Sequence, residues 1–532
     1  MAVNATELKI KFEDITNFTK GLNTLDDPLY LDPSESPSIV NMDITRQGAI
    51  QTRYGYELVS TIPAVTGAMR GALTYYKTYG TNSGRYLLLF HSNGNVYYIT
   101  NTNTTPTLIG SYGSDSGMVR GDIFNNLAIF GNGAGNIKKW DASSLADLGG
   151  SPPQGKYFGV FQKRLYVAGV STAPSTLYYS ELDDPDDWGT GSNWILVNVG
   201  DGTVLTGMTG NTDFLNVFKE NNINGVSYEF DSSYNISIPL LKQILSQPSG
   251  CICNGSISNV YGYAYFMSSQ GIEAYGASIN FANLPYPLSL KIDPTIKAIN
   301  KTQLDNINSI CFDNKYYLSC GLNNSPTNST MLIYDELTKR RFGQDTWTKY
   351  QGIPALQFAK FKNTNNQEEL YFTSTLEPKL FKFNKTYSDA GSGYYREWTS
   401  KTFRFGERTY WRWLDLEGSM TQGSKIYVDI IMDGKQKTFE ITNDNLINSG
   451  LGVGYVGDNY IGDHYVGGGE AGSTEIQLYR WKKRIMIPSD INHGYTLYFR
   501  LRNIDEGQGW LFNRYRLAYS IDPEDPTYAR AY

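Results

Sequence analysis

Imidazole is the commonest general base and metal ligand near neutral pH, so the three histidines, His91, His464 and His493, are the first residues to test for chemistry. None stands in a serine nucleophile motif, a two-histidine zinc helix or a metal-ligand spacing. Asp458, Asp463 and His464 offer donors to a cation, but the glycines around them give no preset geometry. The densest carboxylates run Ser180-Glu181-Leu182-Asp183-Asp184-Pro185-Asp186-Asp187-Trp188. A glycosidase needs two carboxyls brought from separate strands across a cleft, which adjacency in sequence does not provide. Asp and Pro at this density build a turn, and Trp188 is expected to plug a gap between neighbouring repeats.

Cys251 and Cys253 stand in Gly-Cys-Ile-Cys-Asn, where period-two alternation on a strand places both on one face, so core packing is expected rather than metal. With Cys311 and Cys320 they are too few and too scattered for a disulfide framework. Gly131 to Gly135 lacks the Lys-Ser/Thr ending of a phosphate loop. Arg480-Trp481-Lys482-Lys483-Arg484, followed by Ile485-Met486-Ile487-Pro488, reads as a charged sandwich edge that discourages aggregation or as a DNA contact. No catalytic, cofactor-binding or metal residue is assigned, and the chain is expected not to be an enzyme.

The elements that would position these residues are β-strands. Aromatic residues make up 14% of the chain and charged residues only 18%, with 41 tyrosines, a composition suited to pleated, half-buried surfaces. The 53 glycines and recurrent asparagines suit many tight reversals. At 532 residues the chain exceeds one core and should divide into two or three domains. A net charge of −6 is too mild for a dedicated phosphate-binding or membrane surface. No basic, apolar leader opens the sequence and no run approaches the roughly 20 apolar residues that span a bilayer, so a cytoplasmic origin without a membrane anchor is expected.

Seven copies of one unit recur: an apolar strand, a Gly/Asn/Ser-rich turn, and a strand rich in Tyr or Phe. They run from Tyr86 to Ile99, Asn126 to Asp141, Arg164 to Ser180, Phe214 to Glu229, Tyr263 to Tyr275, Tyr316 to Asp335, and Leu370 to Asn384. Spacings of about 40 to 54 residues fit four-stranded propeller blades and exceed leucine-rich or ankyrin repeats. One blade cannot bury both faces of its sheet, whereas a closed ring of blades can. The expected fold class is therefore all-β, with a propeller of six to eight blades over residues 61–390; ordinary hairpins in a sandwich are the other arrangement.

Residues 1–60, polar and punctuated by Pro, read as an extended N-terminal arm. Residues 391–532 read as a C-terminal β-sandwich, opening near Trp398, Trp411 and Trp413 and containing an alternating strand that ends in Asp433-Gly434. Within it, Gly450 to Gly472 is too glycine-dense for a core element. It is either a flexible surface loop or one that presents Tyr455, Tyr460, Asp463, His464 and Tyr465 to a partner.

Three segments together resemble tail β-propeller proteins of tailed bacteriophages, in particular the nozzle proteins of short-tailed phages. The first runs from Gly21-Leu22-Asn23-Thr24 through Leu31-Asp32-Pro33-Ser34-Glu35-Ser36-Pro37 and Asn41-Met42-Asp43 to Gly48-Ala49-Ile50-Gln51-Thr52-Arg53-Tyr54-Gly55-Tyr56; it is similar to their N-terminal arm. Tyr179-Ser180-Glu181 with Asp184-Pro185 and Trp188 is similar to a mid-propeller turn, and Ile333-Tyr334-Asp335 with Trp347-Thr348-Lys349-Tyr350 to a blade ending. The resemblance implies a structural subunit of the virion tail, assembled in the host bacterial cytoplasm without a cofactor. It implies a homo-oligomeric ring of six copies, an adaptor or other tail protein as neighbour, and transient contact with DNA leaving through the channel. The alternative is a propeller with a lectin-like sandwich that binds or cleaves host-surface polysaccharide, with Asp183 to Asp187 flanking a cleft.

Overall fold

Short turns with two residues at positive φ set the local geometry. Such type I′ turns match the twist of the strands they join. Asn125 and Asn126 (φ 48° and 62°) link Arg120–Phe124 to Leu127–Gly131. Asp313 and Asn314 (45° and 60°) link Asn308–Phe312 to Lys315–Cys320, and Gln162 and Lys163 (46° and 59°) link Tyr157–Phe161 to Arg164–Ala168. The last pair carries a conformation that Asn and Gly adopt more readily, so the surrounding sheet imposes it.

The computed structural model describes residues 9–114, 117–189, 192–210, 213–231, 236–246, 249–260, 262–276, 287–405, 408–442 and 478–521. The chain forms two units: residues 57–333 with 352–383, and residues 1–56 with 334–351 and 384–532. The first unit corresponds to the expected repeat domain of 61–390, without its insert of 334–351. The second combines the expected arm with the sandwich.

The first unit is a β-propeller of seven antiparallel sheets taken in chain order. Blade one consists of Met69–Lys77, Gly84–His91, Asn95–Thr100 and Thr107–Ser111; blade two of Arg120–Phe124, Leu127–Gly131, Lys138–Trp140 and Leu145–Asp147. Blade three has Tyr157–Phe161, Arg164–Ala168, Thr176–Tyr179 and Trp194–Leu196; blade four has Leu205–Gly210, Leu215–Lys219, Ile223–Asp231 and Ile236–Ser246. Ser258–Val260, Tyr263–Met267 and Ile272–Gly276 form blade five, and Asn308–Phe312, Lys315–Cys320 and Thr330–Asp335 belong to blade six. Blade seven takes Ala355–Lys362, Glu368–Ser374 and Lys379–Phe383, and its outer strand, Tyr56–Thr61, comes from before blade one. That strand fastens the two ends of the propeller chain in one sheet. The seven sequence repeats are the second and third strands of the seven blades.

Second strands carry apolar runs because neighbouring blades cover both their faces. In Tyr86-Leu87-Leu88-Leu89-Phe90, Leu87 and Leu89 pack with Phe361, Tyr371 and Leu380 of blade seven, whereas Leu88 and Phe90 pack with Ala128, Phe130 and Trp140 of blade two. Each fully buried leucine contributes about 1.5–3 kcal/mol relative to exposure. The first strands of blades seven and one also lie side by side, which closes the ring.

The second unit is a sandwich. One sheet runs Leu478–Met486, Thr409–Thr421, Trp510–Ile521, Ile50–Thr52, Met42–Ile44, with Lys11–Ile15 added to Trp510–Ile521 and His493–Gly494 to Thr409–Thr421. The other runs Lys435–Thr442, Lys425–Met432, Leu497–Asn503, Arg396–Thr399, Ser38–Val40. Between them Trp398 and Phe499 meet Phe512 and Tyr515 at ring-centroid distances of 5.0–6.0 Å, and Phe18 joins them. The N-terminal segment is extended but not separate: Lys11–Ile15, Ser38–Val40, Met42–Ile44 and Ile50–Thr52 lie in these sheets, while Gly21–Leu22 and Glu35–Ser36 pair in a small parallel sheet of their own, and strands of two to five residues are too short for a periodicity signal. Buried Arg53 anchors it, bonded to Asp389 at 2.6 and 2.8 Å and stacked 3.9 Å from the Tyr394 ring.

Candidate functional site

The acidic turn is built into the seam between blades two and three. Glu181 accepts from Asn193 Nδ2 at 2.8 Å and from Arg164 Nη1 at 3.1 Å, and the Asn193 bond leads in holding its carboxyl below the usual range. Asp184 accepts from the Asp186 N–H and Asp187 from the Gly189 N–H, both at 2.9 Å, the hydrogen bonds of tight Asx turns. Asp186 accepts from the Gly149 N–H at 2.6 Å and pairs with Lys139 of blade two. Asp183 faces solvent beside Lys163 at 3.2 Å. Trp188 is 6% exposed among Phe124, Ile129, Ile137 and Leu148 of one blade and Leu165 and Val167 of the next, and its indole N–H donates to Pro185 O at 2.9 Å. The plug expected of Trp188 is therefore present.

Polar side chains on the first strands tie blade to blade. First strands of neighbouring blades belong to separate sheets and share no backbone ladder, so side chains reach across to backbone groups. Asp122 of blade two accepts from Val160 N of blade three at 3.0 Å. Asn259 of blade five donates to Gly210 O of blade four at 3.0 Å, and Asn308 of blade six accepts from Phe358 N of blade seven at 3.0 Å. At the closing seam, Gln357 accepts from Ala72 N at 3.2 Å and donates to Ala72 O at 3.1 Å, while Thr74 donates to Lys360 O at 2.8 Å. Burial raises the Asp122 carboxyl above its usual range, against the pull of its two backbone N–H bonds. Sequence reasoning missed these residues, because a single Asn, Gln or Asp in a strand carries no sign of what lies in the next blade.

A second polar centre holds the loop from blade three to blade four. Lys219 is fully buried, and its ammonium donates to Asp201 Oδ1 at 2.6 Å, Asn198 O at 2.9 Å and Val197 O at 3.1 Å. Burial opposes ionisation of Asp201, but bonds from Lys219, Thr203 and Asn222 outweigh it and hold its pKa at about 2. Asn198, Asn222 and Asn224 continue the network.

The remaining sequence candidates separate. Cys251 and Cys253 do not lie on a strand as expected; they precede the short helix Asn254–Ser256, and both are buried. Cys251 Sγ donates to Cys253 O and Cys253 Sγ to Leu304 O, each at 3.0 Å, and burial pushes their thiols up to about 11 and about 12. His91 is buried with Nδ1 accepting from Asn93 N at 3.1 Å, while the His493 ring meets that of Tyr410 at a tilt, 4.4 Å between centroids. Arg480 to Arg484 lie on the edge strand of the seven-stranded sheet. Tyr455, Tyr460, Asp463, His464 and Tyr465, with the rest of Gly450 to Gly472, lie outside the described residues. Among the described residues no group of three or more His, Cys, Asp and Glu is placed to hold a metal, and no helix is long and apolar enough to cross a membrane. A recess of about 310 Å³ between blades seven and one includes Ile99, Phe361, Tyr371, Glu369 and Lys382, with Lys382 paired to Glu57 at 3.2 Å.

These features define a class by fold alone: a seven-bladed propeller joined to a β-sandwich. No protein-family profile and no curated protein matches the chain. Solved structures similar to it include the extracellular domain of the hybrid two-component system BT3049 from B. thetaiotaomicron, at 10% identity and a TM-score of 0.39, covering 78% of this chain and 57% of that one. The WD40 repeats of RRP9 are similar at 6% identity and a TM-score of 0.37, covering 61% of this chain and 96% of that one. The chain thus spans little more than half the length of the first of these.

Proposed function

We propose that the chain is a structural subunit of a bacteriophage tail, a nozzle or hub ring component that surrounds part of the path of genome ejection. The observation that carries this reading is how the propeller's polar side chains are employed. Asp122, Asn259, Asn308 and Gln357 bridge neighbouring blades, and the carboxylates Glu181, Asp184, Asp186 and Asp187 build one seam. Groups held this way stiffen a spacer and have little capacity left for proton transfer or nucleophilic attack. The sandwich, into which the N-terminal strands are woven, supplies a second rigid body for contacts with neighbouring copies and tail proteins. The sequence resemblance to short-tailed phage nozzle proteins gives the scaffold its address. Electron microscopy of the purified protein and of the parent particle tests the reading: six-fold rings or a tail location support it, and a monomer found only off the particle overturns it.

A further inference from the structure

Two seams of the propeller are filled by a tryptophan. Trp188 closes the one between blades two and three, and Trp140 of blade two packs on Tyr86 and Tyr98 of blade one, 5.1 and 5.3 Å between ring centroids. Where blade seven meets blade one the buried cluster holds no tryptophan, and the recess of about 310 Å³ is left open. That volume stands at the lower end of the range for small-molecule sites. Buried Ile99, Phe361 and Tyr371, with partly buried Val59, give the recess its apolar lining.

The charged groups of the lining are committed to one another. Lys382 pairs with Glu57 at 3.2 Å and with Glu369 at 3.7 Å, and Glu369 also accepts from the Tyr371 hydroxyl at 3.0 Å and from Asn363 Nδ2 at 3.2 Å. Asn363 Oδ1 is taken in turn by Gln367 N at 2.9 Å. Asn101, Thr104 and Thr364 differ. They stand on the loops 101–106 of blade one and 363–367 of blade seven, and their side chains make no hydrogen bond among the described residues. The groups free to meet a ligand are therefore one amide and two hydroxyls, which both donate and accept and carry no charge. An ionic ligand would have to give up water without gaining a counter-charge, since the charges present are already paired. A neutral ring with C–H groups on one face and hydroxyls around its edge matches both the apolar lining and the neutral rim, and a pyranose has that make-up.

We propose that the recess between blades seven and one binds a neutral pyranose unit, with its C–H face on the apolar lining and its hydroxyls on Asn101, Thr104 and Thr364. It does so whether the chain works as a ring subunit or alone. One sugar held by a few neutral hydrogen bonds binds weakly and exchanges fast, which suits saturation-transfer NMR. The full chain is mixed in turn with methyl glucoside, methyl galactoside and N-acetylglucosamine, and with glucuronate as the charged counterpart. Transfer is expected from at least one of the three neutral sugars and less from glucuronate. Asn101→Ala/Thr364→Ala should weaken the binding about tenfold with an unchanged thermal melt, because two neutral hydrogen bonds are lost at exposed loop positions. Thr364→Trp, which sets an indole at the rim, should abolish it. No transfer from any of the three neutral sugars overturns the proposal, as does binding left unchanged in both variants or tighter binding of glucuronate.

Discussion

A buried ammonium is costly unless every donor has a partner, which makes Lys219 the most informative single residue of the propeller. Lys219→Met leaves Asp201 without its main partner and frees the loop of residues 197–204. The expected loss is about 3 kcal/mol, at the low end for breaking a buried pair because Asp201 keeps solvent contact, read from urea denaturation. The pH dependence has a defined sign. Asp201 has a folded pKa of about 2, below the roughly 3.9 of an unfolded aspartate, so its contribution is complete above that value and is lost as pH falls towards 2. The wild-type protein should therefore lose stability between about pH 4 and pH 2 more steeply than Lys219→Met. Trp188 acts through packing instead. Trp188→Ala empties the seam between blades two and three and should cost about 3–5 kcal/mol in the same measurement.

At the scale of the element, the closing seam is where the ring is most easily opened. Gln357→Met keeps the size of the side chain but leaves Ala72 N–H and C=O without their partner, for an expected loss of about 1–3 kcal/mol. Native-state hydrogen exchange should locate the effect in Met69–Lys77 and Ala355–Lys362 rather than across the propeller. Equal acceleration in blades three and four would contradict a local staple. The turns divide by how visible they are in the sequence. Asn125-Asn126 announces its own left-handed conformation, whereas Gln162-Lys163 takes the same shape only because the flanking strands pair around it. The N-terminal strands were illegible for a related reason. Two- and three-residue strands such as Gly21–Leu22 and Ile50–Thr52 have no period to detect, and long-range pairing alone makes them strands.

At the scale of the whole molecule, the reading as a ring subunit predicts an assembly rather than a monomer. Mass measurement of the purified chain at micromolar concentration should give a closed multiple of 59.7 kDa, six by the family resemblance, and a stable monomer would count against the ring. The sequence by itself determined the all-β class, the seven repeats and the burial of Trp188, because each depends on local composition and spacing. Runs such as Tyr86 to Phe90, apolar at every position, already required a sheet covered on both faces. Only the tertiary structure decided which charges are internal fasteners and which face outward. Glu181 and Glu417 are both strand-flanked carboxylates in the sequence, yet one locks a seam and the other sits among surface cations. Lys219 and Lys482 differ in the same way, one wholly buried and the other largely exposed. The partners that give a polar side chain its role come from distant parts of the chain, and hydrophobic periodicity records burial but not the identity of the neighbour across the interface.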